Sequence, residues 1–294
     1  MENIVQSLVD AISMGSLFAL MALGIGLVFG IMRLVNFAHG ELVMIGGYGL
    51  LLLSGAPDAI AAVLVIALVI LVALAMERVA FRPLRQRSVP TLLIGSFTVS
   101  FLLQNLVLMT IGATPRGVNF GSSLLQSVSF GKISVSYLQI VMIITTLILL
   151  AALASFLKYS RYGIQMRAAA ENFRMARLLG VKANRIIAVS FAGSGLLAGV
   201  VSLLYVAQIG ALTPQLGLQP AVVGFVASVI GGLGSLTGAA IGGFVIGSLT
   251  VLIEMLLPLE LRPFRDAFLY SVLFALLLVR PRGIIILPWV RERV

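Results

Sequence analysis

Charge is scarce in this 294-residue chain, in which 10% of the residues are charged and 60% are hydrophobic. An average soluble domain has about 25% charged residues, so this chain could not cover a soluble fold with a wetted surface. Cysteine is absent and His39 is the single histidine, which excludes disulfides, cysteine-ligated metals and histidine-rich metal sites. These shortages exclude a soluble enzyme, a disordered protein and a nucleic-acid-binding protein, and they indicate a protein surrounded mostly by lipid.

Motifs that would supply energy or catalysis are also missing. The sequence contains no GxxxxGK[ST] phosphate loop and no HExxH. It has no row of intramembrane acidic residues or lysines of the kind that proton-coupled carriers use. We therefore predict that the chain has no catalytic residue, no metal site and no bound cofactor, and that any active transport takes its energy from a partner.

Long uncharged runs dominate the sequence, and the longest covers 68 residues between Arg185 and Glu254. A membrane helix needs about 20 apolar residues, so this run holds about three crossings. The runs are continuous rather than alternating, which favours helices over barrel strands. We predict an all-α polytopic membrane protein, a single domain over 1–294 that forms a bundle of 8–9 transmembrane helices, one of them a half-helix or re-entrant segment. The apolar segments are 11–32, 42–57, 59–76, 88–112, 135–157, 186–208, 217–232, 236–257 and 266–280, with breaks in the long run near 213–214 and 231–232.

Basic residues are distributed unevenly. Nine crossings place 16 of the 20 lysines and arginines on one side, in Arg33, the 77–89 connection, the 158–185 connection and the tail. The positive-inside rule makes this side cytoplasmic, with the N-terminus outside and the C-terminus in the cytoplasm; eight crossings would reverse the side of the N-terminus. The net charge of +10 then faces an anionic membrane surface.

The longest cytoplasmic connection, residues 158–186, contains signals for a short helix. Asn172 is a good N-cap and Gly180 a good C-terminal stop, which predicts a helix of about seven residues between them. One face is small and apolar, and another carries arginines. This helix fits docking into a groove on a cytoplasmic partner, and the alternative is an ordinary basic loop. The residues assigned to it are Ala169, Glu171, Asn172, Phe173, Arg174, Ala176, Arg177 and Gly180.

A polar cluster at residues 33–41 follows the first apolar segment. A charge at the centre of a membrane helix costs about 2.5–3.5 kcal/mol, so the cluster is expected at the interface or along an aqueous cavity. Asn36 and His39 would share a helix face. Two interpretations stay open: a polar kink on the transport path, or an interfacial turn in which Arg33 and Glu41 reach water. With two polar residues of the fourth apolar segment that need partners or water, the candidate path residues are Asn36, His39, Glu41, Gln104 and Asn105.

Small residues recur at every fourth position late in the chain. This spacing lets helix backbones approach closely in lipid. Such helices either pack statically or line a moving pore, and both interpretations stay open. The candidate packing residues are Gly195, Gly199, Gly234, Gly238, Gly242, Gly243 and Gly247.

Three motifs occur in order along the chain: GIMRLVNFAHGELVMIGGY at 30–48, MRAAAEN with ARLLGV within 166–181, and GFVASVIGGLGS at 224–235. Together they resemble the permeases of branched-chain amino acid ATP-binding cassette (ABC) transporters, specifically the H-type subunit. The resemblance covers essentially the whole chain. Phe173-Arg174 departs from the family pattern, which often has Pro-Glu, and makes the start of the short helix more basic.

The resemblance implies a permease subunit in the cytoplasmic membrane of a bacterium or archaeon. Its implied partners are the lipid bilayer, a second homologous permease in a heterodimer or homodimer, two cytoplasmic ATP-binding subunits that use ATP and Mg, and an extracytoplasmic substrate-binding protein. It also implies alternating access, in which the coupling segment 169–180 transmits ATPase movement to the bundle. Arg116, Arg262 and Arg265 are candidates for docking the binding protein, with ordinary solubility as the alternative.

Leucine, isoleucine and valine are the substrates that the resemblance implies, and the NFAHG form at residues 36–40 favours them. Urea, short-chain amides or other amino acids are alternatives, because urea-type permeases resemble this chain closely. Two other classes stay open: a self-sufficient channel or facilitator, and a non-transport scaffold or membrane enzyme. The sequence offers no catalytic constellation for the last of these.

Overall fold

The computed structural model describes residues 2–33, 36–85, 87–130, 133–232 and 234–279, most of which are helical. Each of the nine predicted apolar segments contains a helix, as the hydropathy pattern predicts. A π-helical turn joins α3 to α4, and a 3-10 turn precedes α12. The helices are α1 (Glu2–Met32), α2 (His39–Leu52), α3 (Asp58–Met76), α4 (Arg82–Leu84), α5 (Val89–Thr110), α6 (Tyr137–Tyr159), α7 (Arg161–Glu171), α8 (Phe173–Leu178), α9 (Ala183–Ile209), α10 (Leu218–Gly231), α11 (Leu236–Leu256) and α12 (Arg265–Val279).

Six helical stretches within the described residues are long and apolar enough to cross a membrane. By contrast, α2 and α10 have 14 residues each. Such a helix is about 21 Å long and cannot cross a hydrocarbon core of about 30 Å. Two of the predicted segments, α2 and α10, are therefore half-length, whereas the sequence predicts one such segment. The described part of α12 has 15 residues. The six stretches are Val5–Met32, Asp58–Leu84, Pro90–Thr110, Tyr137–Tyr159, Ala183–Ile209 and Leu236–Leu256.

Four short strands lie at one end of the bundle, which we call the strand end. The amide of Ser134 there donates a hydrogen bond to Gln6 Oε1 (3.0 Å), so α1 begins at this end. The strands form two antiparallel pairs, β1 (Arg116–Gly117) with β4 (Ala211–Leu212), and β2 (Ser127–Phe130) with β3 (Ile133–Ser136).

The opposite end carries most of the positive charge, and we call it the basic end. Arg33 Nη2 lies 3.4 Å from Ala170 O, and Arg85 Nη1 donates to Asn184 Oδ1 (2.9 Å). The first contact joins the end of α1 to the end of α7, and the second joins the end of α4 to the start of α9. Twelve of the fifteen described lysines and arginines lie at this end, as the charge pattern predicts. Outside the described residues lie Lys132, Arg280, Arg282, Arg291 and Arg293.

Helix α1 runs through the centre of the bundle, and its backbone accepts hydrogen bonds from other helices. Ser194 Oγ on α9 donates to Gly24 O (2.9 Å), and Ser248 Oγ on α11 donates to Ala11 O (3.2 Å). In lipid, where burial of apolar surface gives no driving force between helices, such bonds and close packing hold helices together.

Glycines allow the closest helix contacts. A Cβ added to Gly247 on α11 would lie 2.5 Å from the Cα of Gly15 on α1, and one on Gly195 on α9 would lie 2.8 Å from the Cβ of Ala73 on α3. Real Cβ contacts essentially never fall below 3.0 Å, so larger residues would separate these helices. Contacts below 3.0 Å also occur at Gly243 (α11 with α1) and at Gly238 and Gly242 (α11 with α10), and an added Cβ on Gly199 (α9) would lie 3.1 Å from Ile66 Cα of α3.

Gly234 has a different place from the other candidate packing glycines. It lies in the turn before α11, with φ at +91°, a conformation that favours glycine. The prediction that Gly234 lies on a helix face is therefore wrong, because α10 ends at Gly231 and α11 begins only at Leu236. Ser235 Oγ caps α11 by accepting from the amide of Gly238 (2.9 Å).

The short helix that the sequence predicts between Asn172 and Gly180 is present as α8. Asn172 Oδ1 accepts from the amide of Met175 (3.0 Å) at its start. Gly180 has φ at +88°, and the amide of Val181 donates back to Ala176 O (3.0 Å), the pattern of a helix that ends on glycine. Local capping chemistry therefore decides both ends of α8.

The predicted coupling segment 169–180 is not one helix. Asn172 has extended backbone (φ −147°, ψ 97°), which separates α7 from α8. Ala169 and Glu171 consequently belong to α7. Within the segment, Ala169 and Ala176 are buried, Phe173 is half-buried, and Glu171, Arg174, Arg177 and Gly180 are exposed.

Candidate functional site

The two half-length helices begin beside one another inside the bundle. A Cβ added to Gly217, the residue before α10, would lie 2.6 Å from the carbonyl oxygen of Gly40 in the first turn of α2. Successive contacts show that α2 runs parallel to α9 and α10 runs parallel to α1, whereas α1 and α9 run in opposite directions. Both half-helices therefore start at one point and leave it in opposite directions. We call this point the half-helix junction.

The junction lies near the middle of the bundle. His39 Nδ1 is 3.0 Å from Ser194 Oγ, near the middle of α9. Glu41 Oε1 accepts a hydrogen bond from Ser100 Oγ (2.8 Å), near the middle of α5. Backbone that is not helical at this depth is tolerated only where protein or an aqueous cavity surrounds it. The polar cluster at the start of α2 therefore lies well inside the bundle rather than at an interface.

Glu41 is 0% exposed, and its two carboxylate oxygens have different surroundings. Oε1 accepts hydrogen bonds from Ser100 and from Gln104 Nε2 (2.7 Å). Oε2 has no donor among the described residues and faces Gly217, where an added Cβ would lie 2.7 Å from it. Helix N-termini favour negative charge, so the starts of α2 and α10 both stabilise this carboxylate. In this arrangement Glu41 does not reach water, unlike in the interfacial alternative.

Asn36 and His39 are also buried, at 1% and 2% exposure. Asn36 Oδ1 accepts from the amide of Ala38 (3.1 Å), while its Nδ2 has no partner within the described ranges. The prediction that Asn36 and His39 share a helix face is wrong, because α2 begins at His39 and Asn36 lies in the turn before it. The chain turns back into the bundle after Arg33, whose φ is +51°.

Aromatic rings lie beside the junction. Phe37 stacks on Phe97 of α5, with ring centroids 4.3 Å apart and planes at 16°. Phe225 of α10 approaches Phe37 at 5.3 Å in a tilted arrangement. The turn before α2 thus places an apolar surface from three elements next to a buried carboxylate.

Four of the five predicted path residues meet at the junction, and Asn105 does not. Its side chain lies on an exposed face of α5 and donates to Phe101 O (2.7 Å). Two partners at the junction, Ser100 and Ser194, were not predicted from the sequence. The sequence contains one signal for Ser100. Polar residues recur at every fourth position of this apolar span, at Ser96, Ser100 and Gln104, and all three are buried.

At the basic end, a buried ion pair supports the surface that holds α8. Arg85 pairs with Glu77 in the π-helical turn and donates to Asn184 at the start of α9. Burial lowers the pKa of the Arg85 guanidinium, and the neighbouring carboxylate stabilises its charged form. This pair fixes the end of α4 against α9, next to the half-buried Phe173 of α8.

At the strand end, the three candidate docking arginines have different surroundings. Arg116 in β1 and Arg262 in the 3-10 turn are exposed, and neither has an ion pair within the described residues. Arg265 instead donates from Nη1 to Glu254 Oε2 (3.0 Å) and lies 3.1 Å from Asp266 Oδ1. Arg265 is therefore paired with two carboxylates of its own chain, unlike Arg116 and Arg262.

Sequence comparison matches the chain to known permeases over nearly its whole length. Residues 7–279 match the family described as branched-chain amino acid transport system, permease component. The chain is 35% identical to the high-affinity branched-chain amino acid transport system permease protein LivH of Escherichia coli, over 98% of this chain and 97% of that protein. It is 32% identical to BraD of Pseudomonas aeruginosa, with the same coverage, and 28% identical to a probable LivH of Methanocaldococcus jannaschii, over 95% and 91%. The chain therefore belongs to the family of branched-chain amino acid transport permeases.

Proposed function

We propose that this chain is the membrane-spanning subunit of an ABC importer that carries leucine, isoleucine and valine across the cytoplasmic membrane. One observation carries the proposal: two half-helices meet deep in the bundle around a buried carboxylate. Broken helices of this kind form substrate sites in many transporters, because their ends present unpaired polar groups to a ligand. The ATP is used by partner subunits, and the present chain contributes the path.

The junction suits a zwitterionic amino acid with an apolar side chain. Glu41 Oε2 lacks a donor among the described residues and is a suitable acceptor for an ammonium group. The N-termini of α2 and α10 favour a carboxylate. Phe37, Phe97 and Phe225 provide an apolar surface beside these groups. In this proposal α2 and α10 separate during alternating access and expose the junction to each side in turn.

The basic end is the proposed cytoplasmic face, where α7 and α8 contact the ATPases. In this proposal the chain passes through the membrane nine times. In two of these passes, α2 or α10 spans only the second half of the membrane. Nine passes leave the N-terminus outside and the C-terminus in the cytoplasm. The exposed Arg174 and Arg177 lie on α8, which is held by Asn172 at its start and Gly180 at its end. A second, homologous permease completes the path in this proposal.

Charge reversal on α8 tests the coupling role. The double substitution Arg174→Glu and Arg177→Glu is expected to abolish uptake and the stimulation of ATP hydrolysis by loaded binding protein in vesicles. The matched control, Arg78→Glu with Arg87→Glu, makes the same change of charge at the same end outside α7 and α8 and is expected to preserve coupling. Unchanged uptake and stimulation in the α8 variant would overturn the assignment.

Substrate class needs a separate measurement. Uptake of labelled leucine by vesicles that contain the complete importer should be inhibited by isoleucine and valine, and not by urea or acetamide. Inhibition by urea or acetamide alone would favour the amide-transport alternative. Leucine uptake by liposomes that contain this chain without ATP-binding subunits would favour a self-sufficient facilitator.

The binding protein is proposed to dock at the strand end through Arg116 and Arg262. Rim charges mainly affect association rate and its salt dependence. Reversing both charges should reduce the association rate of the binding protein and flatten its dependence on ionic strength. The idea fails if the association rate and salt dependence match those of the wild type.

A further inference from the structure

The largest cavity among those described at the basic end has a volume of about 910 Å³. It lies between α4, α8 and the start of α9. Five basic side chains line it, together with Phe173, Pro83 and Asn184, and no acidic side chain does. The basic residues are Arg82, Arg85, Arg177, Lys182 and Arg185.

Four of these five cations are exposed and have no ionic partner within the described residues. Arg85 is paired with Glu77 and Asn184. The remaining four have no ion pair or side-chain hydrogen bond in the part of the chain that the structure describes. Like charges around one space repel one another unless an anion enters it. α9 also begins at the wall of this cavity, and its N-cap residue Lys182 provides no side-chain cap, so the helix dipole adds to the positive field.

The cavity lies at headgroup depth. It is bounded by the ends of two membrane-crossing stretches, Asp58–Leu84 and Ala183–Ile209. An exposed apolar ridge on α3 and the π-helical turn leads along the bundle to Arg82 at the cavity. Its members are Leu64, Leu68, Leu71, Ala75 and Val79, which repeat at helical spacing and are all exposed.

We propose that this cavity binds the headgroup of an anionic phospholipid, whose acyl chains lie along the α3 ridge. Basic pockets at the cytoplasmic ends of membrane helices are suited to phosphodiester headgroups. The cationic cavity matches the charged headgroup of a lipid, and the adjoining apolar ridge matches its acyl chains. The α3 ridge belongs to the apolar surface of a membrane-crossing stretch, so a lipid lying along it would place its headgroup at the cavity. Because α8 supplies Phe173 and Arg177 to the cavity wall, the bound lipid sets the position of α8 against α4 and α9.

Lipid retention by the full-length chain in a zwitterionic detergent tests the proposal. The probes are dioleoylphosphatidylglycerol, dioleoylphosphatidylcholine and inorganic phosphate, and bound lipid is counted by mass spectrometry. The site variant combines Arg82→Gln, Lys182→Gln and Arg185→Gln. The control variant combines Arg78→Gln, Arg87→Gln and Arg161→Gln, which lie at the same end and do not line the cavity.

Wild type and control are expected to retain phosphatidylglycerol in preference to phosphatidylcholine. Each charge removed from the site should weaken binding about fivefold, so the site variant should lose affinity by about 100-fold. Equal phosphatidylglycerol affinity in the site and control variants would overturn the proposal, as would equal retention of both lipids. Displacement of the lipid by equimolar inorganic phosphate would assign the site to a soluble phosphate instead. If the site variant loses only its association with ATP-binding subunits, the surface belongs to a protein partner.

Discussion

The junction gives a sharp prediction for Gly217→Ala. Gly217 has right-handed helical backbone (φ −71°, ψ −21°), so alanine causes no backbone strain. Its Cβ would nevertheless lie 2.6 Å from Gly40 O and 2.7 Å from Glu41 Oε2. Because a backbone carbonyl cannot move by changing rotamer, α10 has to move by at least a few tenths of an ångström. Overpacking costs about 1–3 kcal/mol and alanine regains about 0.4–1 kcal/mol from the unfolded chain, which leaves a net loss of about 1–2 kcal/mol.

The matched control is Gly49→Ala, an identical substitution within α2. Its Cβ would meet the methyl groups of Leu68 at 3.1 Å and Val65 at 3.3 Å, which can shift slightly. Thermal unfolding of the purified protein should show a midpoint lowered by roughly 2–8 °C for Gly217→Ala, and an unchanged or raised midpoint for Gly49→Ala. Leucine uptake per folded molecule should fall in the first variant alone. Equal midpoints and equal uptake in the two variants would refute the close approach of α2 and α10.

Three further predictions concern capping, charge and packing. Glu41→Gln should lower the free energy of unfolding by about 1–2 kcal/mol. Glu41→Ala should lower it by about 3 kcal/mol, because the alanine variant leaves buried donors without an acceptor. Equal unfolding midpoints for wild type and both variants would contradict this prediction. Gly180→Ala should lower the free energy of unfolding by about 1–2 kcal/mol because residue 180 has left-handed backbone, and Asn172→Ala should lower it by about 1 kcal/mol through loss of the cap. Both variants should be cleaved faster by proteases between α8 and α9. Unchanged cleavage would count against the assigned caps. Gly242→Ala should separate α11 from α10 and lower the unfolding midpoint. The control Gly55→Ala, which has open space around its Cβ, should leave the midpoint unchanged. Similar midpoints for the two variants would contradict the glycine contact.

Local chemistry made part of this structure predictable. The apolar segments became helices, and Asn172 and Gly180 marked the ends of α8, because hydropathy and capping act over a few residues. The partners of the junction were not predictable in the same way. Glu41 meets Ser100 across 59 positions of sequence, and no local pattern identifies which helix will supply a donor.

The errors have the same physical origin. Asn105 was grouped with its neighbour Gln104, although adjacent residues on a helix point about 100° apart, and only Gln104 faces the junction. Gly234 was assigned by spacing to a helix that begins two residues later. The ion pairs of Arg265 depend on how α12 folds back towards α11, which a charge count along the chain does not contain.

The meeting of α2 and α10 has a consequence for the symmetry of the chain. The units α1–α2–α3 and α9–α10–α11 share one plan: a long helix, a backbone reversal, a helix of 14 residues and a second long helix. Because α1 and α9 run in opposite directions, the two units form an inverted repeat about a pseudo-twofold axis in the plane of the membrane, passing between Gly40 and Gly217. In the proposed alternating-access mechanism, an exchange of conformations between the two units would convert an arrangement open to one side into the equivalent arrangement open to the other. Both access states would then come from one structural unit, used twice.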